Sequence, residues 1–141
     1  MKQRFFYGTA LAIIGMILIV MQTNAQVKKG KERPLQTRHL MTGLIVSNSS
    51  ALNKAFQGTG PADDKAWDTA LQNAELLNES AYIMMADGRC PDAVWADSTK
   101  VLRECSAVLV KALEKKDLEA AKAAFGEMNK SCASCHKAHK K

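Results

Sequence analysis

The sequence lacks the alternation of Val, Ile and Thr that half-buried strands show, and alanine and leucine dominate its apolar positions. It also lacks internal repeats and low-complexity segments, which excludes repeat architectures. The chain contains only three prolines, and each lies at a boundary of an apolar segment: Pro34, Pro61 and Pro91. These absences indicate an all-α fold.

Apolar residues recur at spacings of three and four along four segments, which predicts four helices. The residues that mark the expected starts and ends of these helices are Pro34, Gly58, Asp63, Gly88, Pro91 and Asp117. Because the connecting loops are short, neighbouring helices are expected to be antiparallel. The sequence therefore predicts an antiparallel up-down-up-down four-helix bundle over residues 34–141.

The same spacing predicts which side chains form the core. On the first helix the apolar residues are Leu40, Met41, Leu44, Ala51, Leu52 and Phe56. On the second they are Trp67, Ala70, Ala74, Leu77, Ala81 and Met84. On the third, the predicted stripe is Val94, Ser98, Val101, Cys105, Val108 and Ala112, with Trp95, Leu102 and Leu109 beside it.

The N-terminal segment has the pattern of a secretory signal peptide. Lys2 and Arg4 precede an apolar run from Phe5 to Met21, and small residues up to Ala25 form a plausible cleavage site. An uncleaved anchor helix is the alternative, although the apolar run is short for a membrane span. The interpretation divides the chain into a signal peptide (1–25), a basic tail (26–33) and the bundle, in a protein exported to the periplasm or an equivalent compartment.

The run Cys132-Ala133-Ser134-Cys135-His136 is the attachment signature of a c-type haem. Two thiols add to the haem vinyl groups, and the adjacent imidazole binds the iron as its fifth ligand. One helical turn places these three side chains on nearly one face. The motif therefore predicts one covalent haem c, held by Cys132 and Cys135, with His136 as the proximal iron ligand.

Three other interpretations of this motif are weaker. A redox C-x-x-C normally accompanies a βαβ pattern, which this sequence does not contain. A zinc site built from the motif and His139 would take all its ligands from one short helical stretch, which cannot surround a tetrahedral ion. A disulfide between Cys132 and Cys135 would strain a helix.

A four-helix bundle with this motif in its last helix resembles the class II cytochromes c, the cytochrome c′ group. The resemblance covers about residues 34–141, and Lys140, four residues after His136, matches the basic residue usual there in the family. It implies a protein that transfers electrons or, alternatively, binds NO or CO, with the haem near one end of the bundle. An enzyme such as a peroxidase or an NO reductase is the third alternative, and no catalytic residue is expected. Peroxidase chemistry needs a distal acid–base residue, for which His39 is the sole candidate.

The resemblance also implies that a residue of the first helix lies over the distal face of the haem, and Met41 is the nearest match. The family often has an arginine four positions before that residue, whereas this chain has Thr37 there and Arg38 beside it. Cys90 is a second candidate for the distal ligand, because an up-down-up-down bundle brings the turn that contains it to the same end as His136. Arg89 and the following helix N-terminus would favour its thiolate.

A disulfide between Cys90 and Cys105 is not expected. Fifteen residues of helix would separate them by about 22 Å, whereas a disulfide requires Cα atoms within roughly 7 Å. Cys105 falls in the predicted core stripe, which indicates a small buried hydrophobic residue.

The formal net charge of the chain is +6, and the lysines cluster near its two ends. Lys137, Lys140 and Lys141 follow the haem motif, so they are expected to steer an acidic redox partner towards it. The resemblance further implies a homodimer or a heteromer. No nucleic-acid partner is expected.

Overall fold

The computed structural model describes residues 32–140, and this part of the chain is helical with no strand, as expected. Helix α1 is continuous from 37 to 55 and consists of an α-helical turn Thr37–Leu40, a π-helical turn Met41–Val46 and an α-helix Ser47–Ala55. The other helices are α2 (Asp64–Met85), α3 (Ala93–Glu114) and α4 (Leu118–His139). The predicted signal segment 1–25 lies outside the described residues, and so does most of the predicted basic tail. Within 32–140, none of the helices has both the length and the hydropathy of a membrane span.

The helix starts depend on local capping. Helices α2, α3 and α4 each follow an aspartate whose carboxylate accepts a backbone hydrogen bond from the residue three positions later. These N-caps are Asp63, Asp92 and Asp117. Helix α1 has no side-chain cap and begins at Thr37, three residues later than the proline that was expected to open it. In the loop between α1 and α2, Gly60 has a φ of +87°, and a Cβ there would lie 2.6 Å from a methyl carbon of Leu118.

The core of the described region confirms the predicted face of α2 almost completely: only Trp67 is half-buried, and the rest of the stripe is buried. Helix α3 packs against both α2 and α4, and α1 packs against α2. Near the C-terminal end of α1, Phe56 meets Phe125 of α4 edge to face, with ring centroids 5.5 Å apart.

The predicted core stripe of α3 is wrong by about one helical position. Val94, Val101 and Val108 are 44%, 37% and 57% exposed. The centre of the buried face is instead formed by Trp95, Leu102 and Leu109, which flank the predicted stripe. Small hydroxyl side chains fill the rest of the buried face: Ser98, Thr99 and Ser106 are buried, and the Ser106 hydroxyl donates to the Leu102 carbonyl at 2.7 Å. Serine and threonine are polar residues, so the hydrophobic pattern does not identify them as buried. The valines therefore set the position of the predicted stripe. Cys105 is consequently half-buried rather than buried.

The turn between α2 and α3 holds the segment that precedes α1. The Asp87 carboxylate accepts hydrogen bonds from the backbone N–H groups of Glu32 and Arg33 at 2.7 and 3.1 Å. The buried guanidinium of Arg89 donates to the Leu35 carbonyl at 2.8 Å and lies 3.6 Å from the Asp87 carboxylate. These contacts fix the start of α1 against the end of α2.

Candidate functional site

A crevice lies between α1 and α4. The close backbone contacts of α1 are with α2, and those of α4 are with α3, so the two helices leave space between them. The first lobe of the crevice has a volume of about 160 Å³. Its wall residues come from all four helices: Met41, Ile45, Val46, Ser49, Ser50, Met84, Ser98, Leu102, Asn129, Ser131, Cys132, Cys135 and His136.

A second lobe of about 340 Å³ adjoins the first towards the C-terminal end of α4. The two lobes share four wall residues, which are Met41, Val46, Cys135 and His136. The second lobe adds Arg38, Thr42, Trp95, His139 and Lys140. Because the two lobes share these wall residues, they form adjoining parts of one crevice.

The haem motif lies within α4, and the structure brings its three functional side chains to the crevice. Cys135 is buried, Cys132 is half-buried and His136 is exposed. Burial raises the pKa of both motif thiols, and for Cys135 the neighbouring Cys132 and Asp92 raise it further. Both side chains are therefore thiols at neutral pH, the form that adds to a vinyl group.

The alternatives to haem find no support at this site. Among residues 32–140, no cluster of three or more His, Cys, Asp or Glu side chains is arranged to hold a metal ion by itself. The four cysteines, all in the described region, are free. A mainly apolar crevice that presents two thiols and an imidazole from one helical turn fits a covalently attached haem.

The two candidates for the distal ligand occupy different positions. Met41 is half-buried and lines both lobes. Cys90 lines neither lobe, and its thiol donates to the Asp92 carbonyl at 3.4 Å. Cys90 is nonetheless near the C-terminal end of α4, because Asp92, two residues later, has its carboxylate 3.4 Å from Nε2 of His139.

The remaining residues considered in the sequence contribute differently. His39 is exposed and does not line the crevice, whereas the side chain of His139 is only 6% exposed and lines the second lobe. Its ring meets that of Trp95 edge to face, with centroids 5.5 Å apart. Lys140, the predicted basic residue of the motif, also lines this lobe.

Sequence reasoning missed several wall residues. Ile45 and Val46 line the first lobe because α1 contains a π-helical turn, which the predicted continuous α-helix did not include. Ser131 could have been found, since it lies four residues before Cys135 and therefore on the same face of α4. Ser49, Ser50 and Asn129, at the open end of the first lobe, gave no signal in the sequence.

Comparison with known proteins adds one match to this geometry. No curated protein and no solved structure matches the chain. The family model described as Cytochrome C' matches residues 33–140, a segment that holds the whole crevice and the haem motif at its C-terminal end. Since this match covers most of the sequence, the chain belongs to the cytochrome c′ family, whose members bind haem c covalently.

Proposed function

We propose that the protein is an exported monohaem cytochrome that transfers electrons. The observation that carries the proposal is the convergence of Cys132, Cys135 and His136 on an otherwise mainly apolar crevice. When bound, the haem supplies an iron that cycles between the ferric and ferrous states. Export is supported by the signal-like pattern of residues 1–25 and by the chemistry of haem attachment, which takes place outside the cytoplasm.

The proposed role of the motif follows from its thiol and imidazole groups. Cys132 and Cys135 would hold the haem covalently: each S–H would add across one vinyl C=C bond, with the sulfur bonded to one vinyl carbon and the hydrogen to the other. His136, one helical turn beyond Cys132, is exposed at the crevice and is the proposed proximal iron ligand. The buried surroundings of Cys135 would hold its thioether away from water.

The proposed architecture is an up-down-up-down bundle with the haem at one end. Contacts between chain segments support it: Asp87, after α2, meets Glu32, before α1, and Asp92, before α3, meets His139 at the end of α4. At the opposite end, the Lys116 ammonium lies 2.6 Å from the carboxylate of Asp64, at the start of α2. The haem end is then the end that contains His136.

For the distal face we propose Met41 ahead of Cys90. Met41 lines both lobes, whereas the Cys90 thiol contacts a backbone carbonyl and lies outside the crevice wall. Arg89, which was expected to favour a Cys90 thiolate, directs its guanidinium to Leu35 and Asp87 instead. Cys90 is kept as the second candidate because it lies at the proposed haem end.

Binding of NO or CO is the second candidate function, and one feature favours it. Three apolar side chains of α1, Met41, Ile45 and Val46, line the crevice beside Ser49 and Ser50, and this apolar surface suits a small uncharged ligand. Members of the family are typically non-enzymatic haem proteins. A stable distal ligand would favour electron transfer, whereas an easily displaced one would favour gas binding.

For partners, we propose an acidic redox protein, with a homodimer or heteromer as the assembly. Two exposed basic side chains, Arg38 and Lys140, line the end of the crevice, and a third, Lys137, follows His136 on α4. Their charge would attract an acidic surface to the part of the molecule nearest the haem.

Two measurements test the proposed function. Acid–acetone should leave the haem on the protein, and the mass should exceed that of the processed chain by one haem. Extraction of free haem would contradict covalent attachment. Absorption spectra of the ferric, ferrous and CO-treated protein then report the distal site.

Paired variants identify the distal ligand. If Met41 binds the iron, Met41→Ala should convert a low-spin ferric spectrum to high-spin and lower the potential, while Met85→Ala, a change at an exposed methionine, should do neither. Cys90→Ala should leave the ferric spectrum and the potential unchanged, as should Cys105→Ala, the matched change at the other cysteine outside the motif. The opposite result, in which Cys90→Ala alone changes the spectrum, would make Cys90 the ligand.

A further inference from the structure

Helix α1 changes its hydrogen-bonding pattern where it faces the crevice. The π-helical turn Met41–Val46 lies between two α-helical pieces and adds one residue to the turn. The buried positions show this extra residue: Leu40 and Ile45 are buried five positions apart, whereas the buried residues on either side recur every three or four positions. Leu44, which would follow Leu40 on an uninterrupted α-helix, is only half-buried.

The extra residue determines which side chains form the α1 wall. Met41 and Val46 are five residues apart, yet both line both lobes of the crevice. In an α-helix, a separation of five residues rotates a side chain by about 140° from the first. The π turn therefore gives the crevice a wall that a regular helix would not provide.

Part of the π turn is loosely packed, although Ile45 is buried in the core and the turn also contacts α2. Gly43 lies at its centre, and a Cβ there would meet no atom within 4 Å. Val46 is 50% exposed although it lines the crevice. Two side-chain hydrogen bonds restrain the turn locally: the Thr42 hydroxyl donates to the Arg38 carbonyl before the turn, and the Asn48 amide donates to the Leu44 carbonyl within it.

We propose that the π-helical turn Met41–Val46 is a hinge that controls the entry of a small uncharged ligand into the α1 side of the crevice. Opening of this turn would move Met41 and Val46, on its crevice side, while Ile45 and Ser47–Ala55 stay packed in the core and against α2. The inference rests on the proposed haem site, and it adds that ligand entry depends on the backbone of α1 and not only on the identity of one distal residue.

The test compares two alanine substitutions at helical glycines. Gly43 and Gly126 both have no atom within 4 Å of an added Cβ, so Gly43→Ala and Gly126→Ala both restrict the backbone without a clash. With the reduced haem protein, we expect Gly43→Ala to slow CO association by about two- to fivefold and to slow amide hydrogen exchange in residues 41–46. Gly126→Ala, in α4, should leave both unchanged.

A third variant is expected to change the CO association rate in the opposite direction. Asn48→Ala removes the amide that binds the Leu44 carbonyl, so it should loosen the turn and speed CO association. It also carries the test if Gly43→Ala does not fold.

Equal CO association rates in Gly43→Ala and Gly126→Ala, or an unchanged rate in Asn48→Ala, would refute the hinge while leaving the haem site intact. Free haem in acid–acetone would instead refute the proposed function itself.

Discussion

Asp87 shows how single residues position the proposed haem end. Its φ is +62°, a left-handed conformation that few residues other than glycine adopt, and its carboxylate binds two backbone N–H groups of the segment before α1. The conformation is retained because these hydrogen bonds and the buried Arg89 guanidinium restrain it. Loss of the carboxylate would therefore release the start of α1 and leave a buried cation without its partner.

The first prediction concerns pH. The hydrogen bond from the Glu32 N–H, with a smaller contribution from Arg33 and Arg89, holds the pKa of Asp87 below its ordinary 3.8. The folded carboxylate thus releases its proton more readily than the unfolded one. The stability it contributes is fully present above the ordinary pKa and is lost as the pH falls through the lower folded pKa.

In urea unfolding, Asp87→Asn should lower the midpoint at pH 7 and flatten the decline in stability below about pH 4. The control is Asp64→Asn, which removes an exposed carboxylate paired with Lys116 and should change the midpoint little. Parallel pH profiles for wild type and Asp87→Asn would show that the turn does not depend on this charge.

The second prediction concerns Trp95, which is 1% exposed. Its indole Nε1 donates to the Met84 carbonyl at 2.9 Å and so joins α3 to the end of α2. Trp95→Phe keeps an aromatic ring but leaves that carbonyl without its partner, so we expect a loss of about 1–3 kcal/mol in the free energy of unfolding. The same substitution at the half-buried Trp67 should cost less, and thermal unfolding of both variants provides the comparison.

At the scale of the element, the third prediction tests which face of α3 is buried. Leu109 is completely buried and its neighbour Val108 is 57% exposed. We expect Leu109→Ala to cost about 2–5 kcal/mol, whereas Val108→Ala should cost less than about 0.5 kcal/mol. Chemical denaturation measures both, and a larger loss for Val108→Ala would restore the stripe inferred from the sequence.

Comparison of the helices explains what the sequence could predict. Two of the capping aspartates, Asp63 and Asp117, and the C-x-x-C-H motif could be recognised because each depends on residues within about one turn of each other, such as Asp117 with Ala120. The buried face of α3 was not found, because burial of Ser106 depends on packing against α2 and on a hydrogen bond with Asn78. The π turn was missed for a similar reason: Leu44 and Ile45 are equally apolar, and only packing against the rest of the bundle decides which is buried.

At the scale of the whole molecule, the crevice separates two of the four helices of a small domain. The α1 and α4 sides have few close backbone contacts, so a bound group would supply much of the packing between them. The fourth prediction is that Cys132→Ala combined with Cys135→Ala yields a largely unfolded apoprotein. Far-UV circular dichroism measures the loss of helix, and Cys105→Ala, which removes a thiol outside the crevice, should retain both haem and helix.

The charge distribution leads to the last prediction. Within the described chain, Arg38, Lys137 and Lys140 have no carboxylate within ion-pair distance, whereas Lys116, Lys122 and Lys130 are paired. Unpaired cations near the crevice should accelerate encounter with an anionic oxidant, and salt should weaken the effect because it screens charges beyond about 10 Å at 0.1 M.

We therefore expect the rate at which hexacyanoferrate(III) oxidises the ferrous protein to fall as ionic strength rises. Lys137→Glu with Lys140→Glu should slow this reaction by roughly tenfold at low salt and reduce its salt dependence, because the steering charge is reversed. Lys111→Glu with Lys115→Glu, which reverses the same number of charges at exposed lysines near the C-terminal end of α3, should leave the rate nearly unchanged. With the cation hexaammineruthenium(III) as oxidant, stopped-flow measurements should give the opposite result. The rate should rise with ionic strength, and Lys137→Glu with Lys140→Glu should react faster than the wild type at low salt. If the variants at the two lysine sites reacted at the same rate with each oxidant, electrons would enter elsewhere on the surface.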